Sequence, residues 1–137
     1  MIKKSIYLFL LVVFFMGCSA LKNNKKDLIN LQEIYGKTFY LEKNNSLENM
    51  TITLDGDRIY GFSGVNRYFG SFEEKGNKII IGSLASTRMG GSPEEMNRER
   101  EFLQNLEGEK IIVVINNQLQ LIGDNNKVMK FILKEGK

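Results

Sequence analysis

Histidine is absent from this 137-residue chain. That removes the commonest general base and the commonest transition-metal ligand together. A single cysteine, Cys18, rules out an intramolecular disulfide. No charge of one sign dominates, since 19 basic residues face 16 acidic ones for a formal +3. Setting aside Lys3 and Lys4, which lie in a segment read below as removed, leaves 17 against 16, or +1. The basic residues are scattered instead of striped, so nucleic acid is not an expected partner. There is no Ser-x-x-Lys motif, and Ser83 and Ser86 have no identifiable base. The acids Glu73-Glu74 and Glu94-Glu95 are adjacent in sequence. On a strand such neighbours point to opposite faces, and in a first helical turn they complement the dipole. Gly61-x-x-Gly64 followed by Gly70 cradles no phosphate, because no helix starts there. The expectation is a protein with no catalytic residues, no cofactor and no metal.

What is present begins with an export signal. Residues 1–17 run from two lysines through an eleven-residue apolar stretch, 6–16, to a glycine. Positive, apolar, then small is the order of a secretory signal peptide. Eleven residues fall short of the roughly 20 that span a hydrocarbon core. The signal ends in Phe15-Met16-Gly17-Cys18, which resembles the lipobox of bacterial lipoproteins, although Phe15 and Met16 are less usual there. In that family the cysteine sulfur receives a diacylglyceryl group, the signal is cut before it, and the new amine is usually acylated. Two or more acyl chains anchor a protein stably, whereas one binds marginally. The resemblance therefore implies a mature chain of 137 − 17 = 120 residues held to a membrane through lipid, palmitate included, on Cys18. It would sit on the outward side of the cytoplasmic membrane or in the outer membrane. Plain secretion with a free thiol is the alternative.

Residues 19–26, SALKNNKK, are polar and aperiodic and read as a tether. The division expected is 18–35 for the lipidated cysteine and tether, and 36–137 for one folded domain. In 27–35, Leu28, Leu31 and Ile34 fall at helical spacing, with Asp27 as a cap and Gly36 as the stop. Residues 38–42 read as a strand and 44–49 as a polar loop. Met50, Ile52 and Leu54 alternate with polar residues, which is the mark of a half-buried strand. Asp55-Gly56-Asp57 turns it back into 58–62. Strands 67–73 and 78–81 flank a turn at 74–77, and 82–89 reads as irregular. Ser92-Pro93-Glu94-Glu95 announces the one long helix through a cap, a first-position proline and a capping box. Met96, Phe102, Leu103 and Leu106 give its apolar stripe, and Gly108 ends it. Strands over 111–115, 119–122 and 127–133 follow, with turns at Asn116-Asn117 and 124–126. These elements predict an α+β fold: a curled antiparallel sheet or partly open small barrel of about eight strands, with one main helix packed on it.

Residues 61–89 hold the densest cluster of glycines, aromatics and unusual polar residues. They read Gly61-Phe62-Ser63-Gly64-Val65-Asn66-Arg67-Tyr68, then a hairpin, then Ala85-Ser86-Thr87-Arg88-Met89, followed by a helix containing Arg98-Glu99-Arg100. This succession resembles the META domain of the HslJ-like heat-inducible bacterial proteins, over about residues 36–133. The family often has cysteines in both motifs, at the places that Val65 and Gly91 occupy here, as expected if they form a bridge in relatives. Local packing around Val65 is expected to replace that bridge. The early tryptophan common in relatives stands as Phe39.

The resemblance implies a role in envelope stress tolerance or quality control through binding other proteins. It marks Ser63, Asn66, Arg67, Tyr68, Thr87 and Arg88 as characteristic without assigning their role. Two readings of these residues stand open. Asn66 and Arg88 could face a groove and bind a ligand or partner, with a small-ligand pocket nearby. Alternatively the Asn66 amide satisfies backbone groups in a tight turn and the Arg88 guanidinium organises carbonyls. The structural role is the preferred one for both.

Overall fold

Alternation of apolar and polar residues builds most of the fold. In the computed structural model, which describes residues 30–134, nine strands and one helix follow in chain order. They are β1 (Thr38–Lys43), β2 (Ser46–Asp55), β3 (Arg58–Phe62), β4 (Arg67–Lys75), β5 (Lys78–Ile81), β6 (Ala85–Ser86), α1 (Pro93–Leu106), β7 (Gly108–Ile115), β8 (Gln118–Ile122) and β9 (Val128–Leu133). The expected signal peptide, Cys18 and the tether as far as residue 29 lie outside the described residues. Strand order is β3-β2-β1-β9-β8-β7-β5-β4, and β3 also pairs with β4, so eight antiparallel strands close into a barrel. The two-residue β6 adds to β4, with Tyr68 opposite Ser86. The α+β class, the strand number and the single helix are as expected, and the barrel is closed instead of partly open.

The inward residues form one cluster that includes Ile52, Leu54, Ile59, Tyr68, Ile79, Leu119, Leu121 and Phe131. Its two ends are closed by different segments. The chain leaves the barrel after β5 and returns to the same end at β7, so α1 crosses that end. From it Phe102 packs edge-on against Tyr68, with ring centroids 5.8 Å apart, and against Phe131 at 6.3 Å. Leu106 is fully buried beside it. Burying each of these side chains contributes about 1.5–3 kcal/mol. The helix starts as its sequence requires: Ser92 Oγ accepts the Glu95 N–H at 3.3 Å and Glu95 Oε2 accepts the Ser92 N–H at 2.8 Å.

At the opposite end a 3₁₀ turn, Leu31–Glu33, sets Leu31 and Ile34 into the core. Asn30 caps it, its Oδ1 accepting the Gln32 N–H at 3.2 Å. The folded unit therefore begins before Gly36, because these two apolar side chains plug the barrel; the expected boundary placed them in the tether. Asp27, expected as the cap, lies outside the described residues. A second correction concerns 44–49. Asn44 and Asn45 both take positive φ, 52° and 59°, and make a two-residue turn that asparagine tolerates. β2 therefore starts at Ser46 and absorbs most of the expected loop.

Candidate functional site

The turn joining β3 to β4 is Ser63-Gly64-Val65-Asn66, closed by the Ser63 N–H on the Asn66 carbonyl at 2.8 Å. Gly64 sits at φ +106°, a conformation that L side chains rarely adopt. With that kink the turn presents successive N–H groups to one acceptor, the carboxylate of Glu99 from α1. Glu99 Oε2 accepts the Asn66 N–H at 2.8 Å, the Val65 N–H at 3.2 Å and the Ser63 hydroxyl at 2.9 Å. Glu99 Oε1 accepts from Asn66 Nδ2 at 2.8 Å. Ser63 Oγ is also 2.8 Å from the Asn66 carbonyl oxygen, so its single proton is shared between two acceptors.

Asn66 carries the network onward to the second motif. Its Oδ1 accepts from the Thr87 hydroxyl at 2.9 Å and from the Met89 N–H at 2.6 Å, while its Nδ2 also reaches the Met89 carbonyl at 3.2 Å. Thr87 Oγ1 in turn accepts the Arg67 N–H at 3.2 Å, and the Thr87 N–H donates to the Arg67 carbonyl at 3.0 Å. One amide and one carboxylate thus clasp the β3–β4 turn, residues 87–89 and α1. Both are buried, with Asn66 2% and Glu99 4% exposed. Burial pushes the Glu99 carboxyl up, but the hydrogen bonds from Asn66, Ser63 and Val65 outweigh it and hold it below the usual carboxylate range. The carboxylate is ionised and fully bonded, so the group is anchored in place as an acceptor.

The remaining nominated residues part company. Tyr68 is 1% exposed on the barrel's inner side, and its hydroxyl donates to the Thr51 carbonyl at 2.7 Å. Burial raises its pKa far above that of a free phenol. Arg67 and Arg88 project their side chains to solvent, and among the described residues neither makes an ion pair. Among the described residues the Arg88 guanidinium organises no carbonyls. Cys18 lies outside the described residues. The structure thus brings Ser63, Asn66 and Thr87 together and leaves Arg67 and Arg88 on the surface around them.

Glu99 is the participant that the sequence pattern hid. It had a signal, since it falls at position +3 from Met96 and −3 from Phe102, inside the apolar stripe where a charge needs a partner. Lys110 is a second buried charge, 8% exposed, whose ammonium donates to the Glu107 carbonyl just past the end of α1. Burial pushes its pKa down, while Asp124 and Glu107 push it back up. That contact satisfies a helix C-terminus.

Cavities lie elsewhere. A groove of about 250 Å³ runs between α1 and the β1–β2 turn over Met50, Phe102 and Met129, and its rim carries acids and bases in equal number. A wider hollow of about 460 Å³ opens on the outer face of β2, β3 and β4 and includes Arg67. Asn66 and Arg88 line neither. Among the described residues no group of three His, Cys, Asp or Glu side chains could hold a metal ion, and no helix is long and apolar enough to cross a membrane.

No curated protein matches the chain at a significant level. Among the solved structures that share its fold, two determined by NMR illustrate the likeness. One is the NMR structure of a protein from Burkholderia xenovorans, 24% identical, with a TM-score of 0.60 over 77% of this chain and 86% of that one. The other, also an NMR structure, is 20% identical, with a TM-score of 0.60 over 77% of this chain and 95% of its own. At such identities the likeness speaks for the fold alone. The family model for the META domain matches residues 29–136, the whole described barrel together with its clasp, and the chain belongs to the META domain family.

Proposed function

We propose that this protein is a non-enzymatic envelope lipoprotein, anchored through lipid on Cys18, whose META domain binds other proteins in the service of envelope stress tolerance. One observation carries the protein-binding reading. The clasped backbone of the two motifs presents exposed apolar side chains beside free cations: Phe69 is 55% and Met89 65% exposed, next to Arg67 and Arg88. Contiguous apolar surface rimmed by polar residues marks interaction sites, and these side chains supply the apolar part of such a surface here. Chemistry at the motif itself is disfavoured, because Ser63 is 0% exposed and both its hydroxyl and the Glu99 carboxylate are engaged in holding the turn. The small-ligand reading near Asn66 and Arg88 loses support, since every polar atom of the Asn66 side chain is already bonded.

The test is a cross-linked pull-down of the full-length protein from native membranes. Cys18→Ala serves as the mislocalised control. An Arg67→Ala/Arg88→Ala variant removes the surface cations while keeping the clasp. A reproducible partner lost by both variants is the expected result. Absence of any partner with the wild-type chain overturns the reading.

A further inference from the structure

The hollow on the outer face of the barrel has a composition unlike the rest of the surface. It is lined by four aromatic residues, the outward Tyr60, Phe62 and Phe69 and the inward Tyr68, by Arg58 and Arg67, and by threonines, with no acidic residue among them. The register explains the arrangement. Tyr60 stands opposite Phe69, and Phe62 opposite Arg67, so the outward positions of β3 and β4 form one ladder. Thr53 points outward with them yet is 3% exposed, its hydroxyl 3.0 Å from that of Thr38. An outward side chain buried in this way shows that its neighbours stand up around it.

The charges are the second observation. Arg58 lies opposite Asp55 in the β2–β3 register, yet the two make no ion pair. Its guanidinium instead lies over the Tyr60 ring, 5.9 Å from the centroid. Arg67 also lacks an ion pair among the described residues. Asp55 and Asp57 sit at and beyond the Arg58 end, and neither lines the hollow. The lining of the hollow therefore carries a cation toward each end and aromatic side chains between them.

The spacing is the third. Arg67 is level with Phe62, and Arg58 is four residues back along the same strand, which is about 13 Å at roughly 3.3 Å per residue. That span suits an extended chain better than a compact small molecule. In an extended peptide, residues i, i+2 and i+4 face one side.

We propose that this face binds an extended acidic segment of a partner protein with the pattern acid-x-apolar-x-acid. The two carboxylates meet Arg58 and Arg67, and the apolar residue between them lies against Phe69 and Tyr60. Arginine suits the task because its planar donors take a carboxylate bidentately. The inference rests on the protein-binding reading above and adds the site and the chemistry of the partner.

The experiment is fluorescence anisotropy with the full-length protein in detergent. The probe is a labelled nonapeptide carrying Glu-Thr-Leu-Thr-Glu at its centre. Saturable binding is expected, weakened at least tenfold by Arg58→Gln or Arg67→Gln alone, partly rescued by Arg→Lys, and weakened by salt. Peptides with lysine for both acids, or with the acids at i and i+2, should not bind. Thermal melts of the variants verify folding. Absence of saturable binding, or binding that both Arg→Gln variants retain, overturns the assignment. So does polyglucuronate binding more tightly than the peptide, which would make the face a polysaccharide site. The pull-down separates the two claims. A partner kept by Arg58→Gln/Arg67→Gln sinks this surface and leaves protein binding standing, whereas no partner for the wild type sinks the protein-binding reading itself.

Discussion

Asn66 and Glu99 meet twice: the Asn66 backbone N–H donates to Glu99 Oε2 at 2.8 Å, and its side-chain Nδ2 donates to Oε1 at the same distance. One residue of the β3–β4 turn thereby fixes both oxygens of a helix carboxylate. Asn66→Ala removes four side-chain hydrogen bonds and strips one partner from a buried charge. Leaving buried groups unsatisfied costs about 1–3 kcal/mol each and more for charges, so a loss of about 3 kcal/mol is expected. Glu99→Ala should cost a similar amount. Because the two share bonds, the double variant should cost clearly less than the sum, with a coupling of about 1–3 kcal/mol. Urea unfolding of the four proteins gives the cycle, and additive losses would show that the two residues act separately.

Most of the barrel was legible in the sequence because its strands bury one face only, and period-two alternation reports that directly. Met50-Ile52-Leu54 and the capping box at Ser92 are clear instances. What was not legible depended on long-range partners. The 3₁₀ turn at Leu31 is too short to show a period, and only its fit into the barrel end orders it. The turn at Asn44-Asn45 carries asparagine where glycine is the stronger signal. Within the site, the preferred structural role for Asn66 agrees with its contacts. The same expectation for Arg88 does not, because the residue takes no part in the clasp. Glu99 was read as one member of a charged helix, since nothing local reveals that Ser63 and Asn66 wait across 33 to 36 residues.

The clasp should make stability sensitive to acid. In the folded state the Glu99 carboxyl lies below its ordinary value of 4.5, so the folded protein binds fewer protons than the unfolded chain. Its contribution is complete above about pH 5 and is lost as pH falls through 4.5 and below. Glu95 and Glu109 are also held low, by Ser92 and Lys78, but they are exposed and screened by solvent. Urea midpoints measured from pH 6 to pH 3 should fall steeply in the wild type. In Glu99→Gln the starting midpoint should be lower and the slope shallower. Parallel profiles would mean that another carboxylate governs the acid response.

Val65 and Gly91 lie against each other: a Cβ built on Gly91 would meet the two Val65 methyls at 3.0 and 3.4 Å. This is the contact expected where relatives of the family often carry a cysteine pair. Gly91 is not at positive φ, so a cysteine there meets no backbone strain. In a Cys18→Ser background, Val65→Cys/Gly91→Cys should close a bond under oxidation. The crosslink should raise stability by about 2–4 kcal/mol, a gain that reductant abolishes. Failure of the bond to form would show that valine packing does not occupy the place of a bridge.

Gly61 faces a different demand. A Cβ there would stand 2.2 Å from the Thr51 carbonyl oxygen and 3.0 Å from Tyr68 Cε1. The Tyr68 ring crosses this point to deliver its hydroxyl to that same carbonyl. Backbone cannot retreat as a flexible side chain can, so Gly61→Ala should cost at least about 2–3 kcal/mol by overpacking. Tyr68→Phe removes only the donor and leaves a buried carbonyl short of a partner, for about 1–2 kcal/mol. If the added methyl pushes Thr51 away, the hydroxyl bond is already broken in Gly61→Ala. The double variant should then be little less stable than Gly61→Ala alone. Fully additive losses in urea unfolding would show instead that the bond survives and that β3 moves as a unit.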